Sequence, residues 1–272
     1  MLCVVLALLL TACPPHEGKH EQIDAATVAI EKAPQDLGRR LARAEIYLLH
    51  AELDACAGDL EVARRLAPKE AMITWLSARL EYSRKRFTPA LELVDSFLTG
   101  SLEVEQRHRA LLLRAQCLTE LAQTDLAIEA WSLLLKEDPN VQPGWYLKRA
   151  TLLTTKPKGL ELSIASLEQG LERLGPVVNL LLRAAELEEQ LGRTDAAVAR
   201  IEELAELSTR KETWLKKQGD ILLRAERFDD AQARYAQALL AWQQLSEKRR
   251  QTTSMKKLLS EIQTGLAEVQ NA

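Results

Sequence analysis

Aromatic side chains are scarce in this chain: 272 residues include only three Phe and four Tyr, and the apolar side is mostly Leu and Ala. Glycine is limited to 11 positions, and no long alternating run of β-branched residues occurs. Little is therefore available to build strands, and the remaining helix formers point to an all-α protein. None of the four cysteines forms a C-x-x-C pair, so zinc ribbons and thioredoxin-type redox sites have no support. Also absent are a Gly-rich phosphate loop and a G-x-S-x-G elbow. The net charge of −3 lacks the basic excess with which a general nucleic-acid binder neutralises phosphates. The apolar start, MLCVVLALLLTA, is about a dozen residues long and too short to span a bilayer.

What this start does fit is the core of a signal peptide. It opens without the usual Lys or Arg, so either the true start lies upstream or the Met amine supplies the positive charge. The run ends in Leu10-Thr11-Ala12-Cys13, which resembles the bacterial lipobox, [Leu/Val]-[Ala/Ser/Thr]-[Gly/Ala]-Cys. The resemblance implies cleavage before Cys13 and acylation of its thiol and new amine, since several acyl chains hold a membrane durably where one does not. Residues 1–12 are then a lipoprotein signal and 13–20 a polar tether; an ordinary cleaved signal or an uncleaved apolar start is the alternative. Pro14 is not the Asp that marks inner-membrane retention in some bacteria, which favours the outer membrane, facing the periplasm.

The next residues, HEGKH, match the zinc-protease pattern H-E-x-x-H. That chemistry needs both histidines on one face of a rigid helix, a held Glu and a third ligand. His16, Glu17 and His20 instead follow Pro14-Pro15 and surround Gly18, a composition that favours an extended leash. The other histidines, His50 and His108, stand alone and read as surface or helix-end residues. No metal site, cofactor or catalytic residue is expected.

Beyond residue 20 a pattern repeats with a period near 34. A small residue sits inside an apolar helix at Ala44, Ala78, Ala115, Ala150, Ala184 and Gly219, in steps of 34, 37, 35, 34 and 35 residues. About twelve residues after each, a second helix begins around Cys56, Ala90, Ala127, Ser163, Ala197 or Ala231. Four residues further comes a large side chain, as in Val94, Trp131, Leu167, Ile201 and Tyr235, and Pro34, Pro68 and Pro139 close repeats. Small residues let two helices cross closely, and proline stops the second one. Thr88-Pro89 reads as a helix start, and Thr209-x-x-Glu212 as a capping box. The acidic pairs Glu188-Glu189 and Glu202-Glu203 read as solvated charge, and Cys56 and Cys117 as buried free thiols.

The pattern resembles the tetratricopeptide repeat, a 34-residue helix–turn–helix unit. The resemblance implies a right-handed α-solenoid of antiparallel helix pairs over residues 21–246, with a half repeat at 21–34, six repeats after it, and a capping helix over 247–272. It also implies that the first helix of each pair lines a concave face holding an extended peptide or partner helix. Those helices carry Arg43, Arg79, Arg114, Lys148, Arg149, Arg183, Lys216 and Arg224, with Trp75, Tyr82 and Trp145 among them. Trp75, Arg79, Tyr82, Arg114, Trp145, Arg149, Arg183, Lys216 and Arg224 are the candidate partner-binding residues. Guanidinium groups beside aromatics suit acidic or C-terminal carboxylate groups. The expected function is a membrane-anchored, non-catalytic scaffold or assembly factor of the cell envelope, with a protein or peptide partner and no nucleic acid. Two rivals stay open: a zinc metallopeptidase using HEGKH, and a solenoid that binds glycan or peptidoglycan.

Overall fold

The computed structural model describes residues 18–272; Cys13, with the rest of the lipobox, and His16 and Glu17 lie outside the described residues. His20 falls in the first turn of α1. The described residues are helical throughout, with no strand among them. They divide into two units that meet between Glu137 and Asp138.

The first unit holds α1 (Gly18–Lys32) and three hairpins: α2 (Leu37–Leu49) with α3 (Leu53–Leu66), α4 (Ala71–Ser83) with α5 (Phe87–Leu98), and α6 (Val104–Glu120) with α7 (Thr124–Glu137). The second holds α8 (Pro143–Leu153) with α9 (Gly159–Leu174), α10 (Val178–Gln190) with α11 (Thr194–Leu207), and α12 (Lys211–Arg224) with α13 (Phe228–Gln243). After them come the single turn α14 (Glu247–Arg250) and the long α15 (Thr253–Asn271). In each hairpin the two helices pack on each other, and α15 packs on α13 and α12. Helix α1 begins inside the stretch read as a tether, at Gly18.

The helix starts use several devices. Asp36 accepts from Arg39 N at 3.1 Å at the head of α2, and Glu70 accepts from Met72 N at 3.2 Å at α4. Glu103 and Gln106 form a reciprocal capping box at α6. The two caps expected from sequence are not built. Helix α5 starts at Phe87 behind Arg86, so Thr88 lies inside the first turn. Helix α12 starts at Lys211 behind Arg210, and its Glu212 is buried and paired with Arg210 instead of reaching back to Thr209. Pro34, Pro68 and Pro139 each lie two residues past a helix end, where they block continuation.

The repeat pattern corresponds to the packing. Ala44, Ala78, Ala115, Ala150 and Ala184 on the first helices are fully buried, and so are Cys56, Ala90, Ala127, Ser163, Ala197 and Ala231 on the second. At Gly219 there is no room even for a methyl: a Cβ there would lie 2.7 Å from the Tyr235 ring. Gly265 of α15 meets the same ring from another side. Tyr235 is thus clamped by two glycines in a core shared with Met255, Leu258 and Ile262. Ser163 fits a small-residue position because its hydroxyl lies 2.7 Å from Ala150 O and 2.6 Å from Gly159 O. Val94, Trp131, Leu167 and Ile201 fill the layers between.

Five of the six hairpin turns share one conformation. Ala51, Lys85, Ala122, Gly192 and Glu226 all have φ between +54° and +69°. Around Ala122, Gln123 N donates to Leu118 O and Ala122 N to Thr119 O, the paired bonds of a left-handed helix stop.

Candidate functional site

In the first unit, the leading helices of three successive hairpins border an open groove of about 330 Å³. Helix α2 contributes Glu45; α4 contributes Trp75, Arg79, Tyr82 and Ser83; α6 contributes Arg109, Leu112, Leu113 and Gln116. The 34-residue step explains the assembly, because residues one repeat apart occupy the same turn of neighbouring helices. Arg79 and Glu45 are 34 apart, and Arg79 Nη1 donates to Glu45 Oε1 at 2.7 Å.

Packing holds the aromatic floor. Trp75 stacks on Phe97 of α5 with centroids 5.5 Å apart, and the Arg79 guanidinium carbon lies 5.8 Å from the Trp75 ring centroid. Tyr82 meets Phe87 edge-on at 5.4 Å. Burial raises the Tyr82 phenol pKa, and Glu120 and Cys117 add to the shift, so Tyr82 remains a neutral donor at any physiological pH. Arg79 meets Glu45 through one nitrogen, and its remaining N–H groups have no acceptor among the described residues. Arg109 at the rim is exposed and paired only with exposed Glu105, 2.9 Å away on its own helix. The groove therefore offers a flat apolar floor, a guanidinium with spare donors and polar walls. That set suits an extended chain with one apolar side chain and a carbonyl or carboxylate.

The remaining sequence candidates are placed differently. Lys216 and Arg224 border a second groove of about 340 Å³ with Asp220, Tyr235, Glu261 and Glu268. Lys216 Nζ lies 2.9 Å from Asp220 and 3.2 Å from Glu261. Burial alone would lower the Lys216 pKa, but the two carboxylates outweigh it and raise it. Arg224 is held by both oxygens of Glu189. Tyr235 OH donates to Asp220 at 2.9 Å. This groove is zwitterionic, and its Lys216, Arg224 and Tyr235 are each already paired with a carboxylate.

Arg114, Arg149 and Arg183, each next to a small anchor, line neither groove. Arg114 binds Asp95 at 2.7 Å and Arg183 binds Glu186 at 3.0 Å. Arg149 stacks on Tyr146 and donates to Ser166 Oγ at 2.9 Å and Gln169 Oε1 at 2.6 Å. Burial lowers its pKa. Trp145 is half-buried on α8, outside both grooves. Arg43 forms a two-pronged pair with buried Asp59, joined by Arg40.

Three further side chains or pairs sit in settings of their own. His108 is 8% exposed and so belongs to the interior of α6, not the surface. Glu188 is 5% exposed and faces Arg193 and Arg200, where sequence suggested solvated charge. Cys56 and Cys117 are free and buried, and burial pushes each thiol up to about 11. Among the described residues no group of three His, Cys, Asp or Glu is arranged to hold a metal ion, and no helix is long and apolar enough to cross a membrane.

Glu45, Arg109, Leu112, Leu113 and Gln116 were missed in sequence. Aligning the hairpins by their small anchors finds two of them: Glu45 and Gln116 each directly follow one, as Arg79 does.

No protein-family model and no curated protein sequence matches the chain. Solved structures do. The C-terminal part of a TPR repeat-containing protein from Cytophaga hutchinsonii matches with a TM-score of 0.66 at 14% identity, over 90% of this chain and 94% of that one. YrrB, a TPR protein with an unusual peptide-binding site, matches with a TM-score of 0.54 at 14% identity, over 75% of this chain and 99% of its own. PilW, a type IV pilus biogenesis factor, matches with a TM-score of 0.55 at 19% identity, over 72% and 90%. At such identities the likeness concerns architecture: this chain has the all-α solenoid fold of tetratricopeptide-like helix pairs.

Proposed function

We propose that the chain is a non-catalytic interaction module whose first-unit groove holds an extended segment of a partner protein. One observation carries this reading: Trp75, Arg79 and Tyr82 converge on a single open groove bordered by three successive leading helices. An apolar side chain of the partner rests against Trp75 and Tyr82, while a carboxylate or main-chain carbonyl takes the spare donors of Arg79. The likeness to YrrB, whose peptide-binding site is part of its description, supports a peptide ligand.

The same proposal includes an envelope location. Acylation at Cys13 tethers the module to a bacterial membrane, the outer membrane by preference, where it serves as a scaffold or assembly factor. Leu10-Thr11-Ala12-Cys13 supports this, and so does the likeness in fold to PilW.

A photo-crosslinking residue at Gln116, expressed in native cells, tests the groove. Partner adducts form in the parent and fall at least about tenfold when Trp75→Ala and Tyr82→Ala remove the floor, in line with hot-spot losses of 2 kcal/mol or more. Adducts of unchanged yield would overturn the groove. The anchor is tested by metabolic labelling with a clickable fatty acid: label at Cys13 that disappears in Cys13→Ala is expected, and an unlabelled parent would overturn it.

A further inference from the structure

We propose that the basic face around α14 and the start of α15 docks on an anionic lipid surface. Five cations, Lys248, Arg249, Arg250, Lys256 and Lys257, fall within ten residues that contain no carboxylate. This stands out in a chain of net charge −3, where most arginines are matched with Asp or Glu. Here only Lys257 has such a partner, Glu261 at 3.8 Å, while Lys248, Arg249 and Lys256 have none among the described residues. Glu247 is the other acidic neighbour, one residue before the face.

The face is firmly mounted. Arg250 lies over the Trp242 ring at 5.6 Å, and Trp242 Nε1 donates to Met255 O at 2.9 Å. Met255 and Leu258, either side of Lys256 and Lys257, are buried in the core around Tyr235. Lys248, Arg249, Lys256 and Lys257 are themselves exposed. The charge is thus carried on long stems above a fixed backbone.

The shape of the face selects the partner. None of the five borders either groove described above, so neither of those clefts gathers them around a discrete anion. Arg250 covers Trp242, so no open aromatic waits for a nucleic-acid base. A membrane of anionic headgroups needs neither, because separate cations each interact with the surface potential within a Debye length. Each Lys or Arg near such a surface strengthens binding by about fivefold.

The test uses the full chain carrying Cys13→Ser, which removes the acylation site, so the result is independent of the tether. Sedimentation is compared on phosphatidylcholine vesicles with and without phosphatidylglycerol, for this protein and for K248Q/R249Q/K256Q/K257Q; Arg250 stays because it packs on Trp242. The apolar start contributes equally to both proteins. The parent should prefer anionic vesicles and lose the preference at high salt, while the fourfold variant, at about fivefold per cation, should lose several hundredfold of that binding. Circular dichroism confirms folding, and K248R/K256R/K257R should bind like the parent. Equal partition of parent and fourfold variant would overturn the proposal, as would a parent indifferent to phosphatidylglycerol. Specific competition by inorganic phosphate at matched ionic strength would overturn it in favour of a discrete anion site, and tighter charge-dependent binding to a DNA duplex would do so in favour of nucleic acid.

Discussion

Arg79 on α4 donates to Glu45 on α2 across 34 residues of sequence and 2.7 Å of space. This pair is a stitch between neighbouring repeats, and it also sets one wall of the groove. Its side chains are 27% and 39% exposed, so water screens the attraction and the pair contributes about 0.2–1 kcal/mol to stability. Arg43 and Asp59 differ in setting, because Asp59 is 4% exposed and satisfies two arginines.

Arg79→Gln should therefore shift the urea midpoint little, by about 1 kcal/mol at most, while weakening partner crosslinking in the groove several-fold. Asp59→Ala should cost about 3–5 kcal/mol, because Arg40 and Arg43 then face each other without a counter-charge. Urea denaturation of the two variants checks both, and a larger loss for Arg79→Gln would reverse the assignment of roles.

Ala122 sits at φ +54° in the turn between α6 and α7, a conformation that costs a residue with a Cβ about 1–2 kcal/mol. Gly192 occupies the equivalent turn without that penalty. Ala122→Gly should raise stability by about 0.5–1 kcal/mol after the entropy of glycine is counted, and Gly192→Ala should lower it similarly. Thermal unfolding decides, and a loss on Ala122→Gly would sink the argument.

Sequence revealed the hairpin core because small residues have a single packing reason to recur every 34 or so positions: Ala78 and Ala115 must let a helix cross. The turns were invisible, since Ala51, Lys85 and Glu226 adopt the left-handed conformation without the glycine that would announce it. Charge is ambiguous along the chain for a related reason. Glu188 and Glu203 look alike along the chain, yet the first is buried against Arg193 and Arg200, and only its neighbours in space distinguish it. Trp75, Arg79 and Tyr82 come together because they lie on one helix; Arg114 and Arg149 sit beside small anchors, which directs them to their own hairpins' helices or the one before.

The buried thiols give an alkaline signature. Folding holds Cys56 and Cys117 at about 11, while an unfolded thiol titrates near 8.5. Below about pH 8.5 both states are protonated and stability is level in this respect; above it the unfolded chain releases protons that the folded one keeps, so stability falls toward pH 11. Four of the other five repeats place Ala where Cys56 stands, so Cys56→Ala should be nearly neutral at pH 7 and flatten that decline. Denaturation midpoints at pH 7 and pH 10 measure it, and an unchanged slope in the variant would refute the assignment.

Metal removal makes a separate check on HEGKH. Read as a leash without a third ligand, HEGKH has no use for zinc, so protein dialysed against chelator should carry none and keep its unfolding temperature. Stoichiometric zinc that disappears in His16→Ala would restore the peptidase reading, because only a built site resists dialysis.

Gln218 is fully buried on α12, and neither its amide oxygen nor its nitrogen has a hydrogen-bond partner. It directly precedes Gly219, the position at which other hairpins carry Arg43, Arg114, Arg149 and Arg183, each of which reaches an acceptor. The glutamine is too short to do the same, so its amide is desolvated without compensation, at a cost of about 1–3 kcal/mol. Methionine has nearly the same shape and no such demand. Gln218→Met should therefore raise the urea midpoint by about 1–2 kcal/mol with an unchanged m-value, whereas Gln218→Ala should lower it by leaving a cavity. If methionine destabilises as alanine does, the amide is satisfied in solution and the assigned cost is wrong.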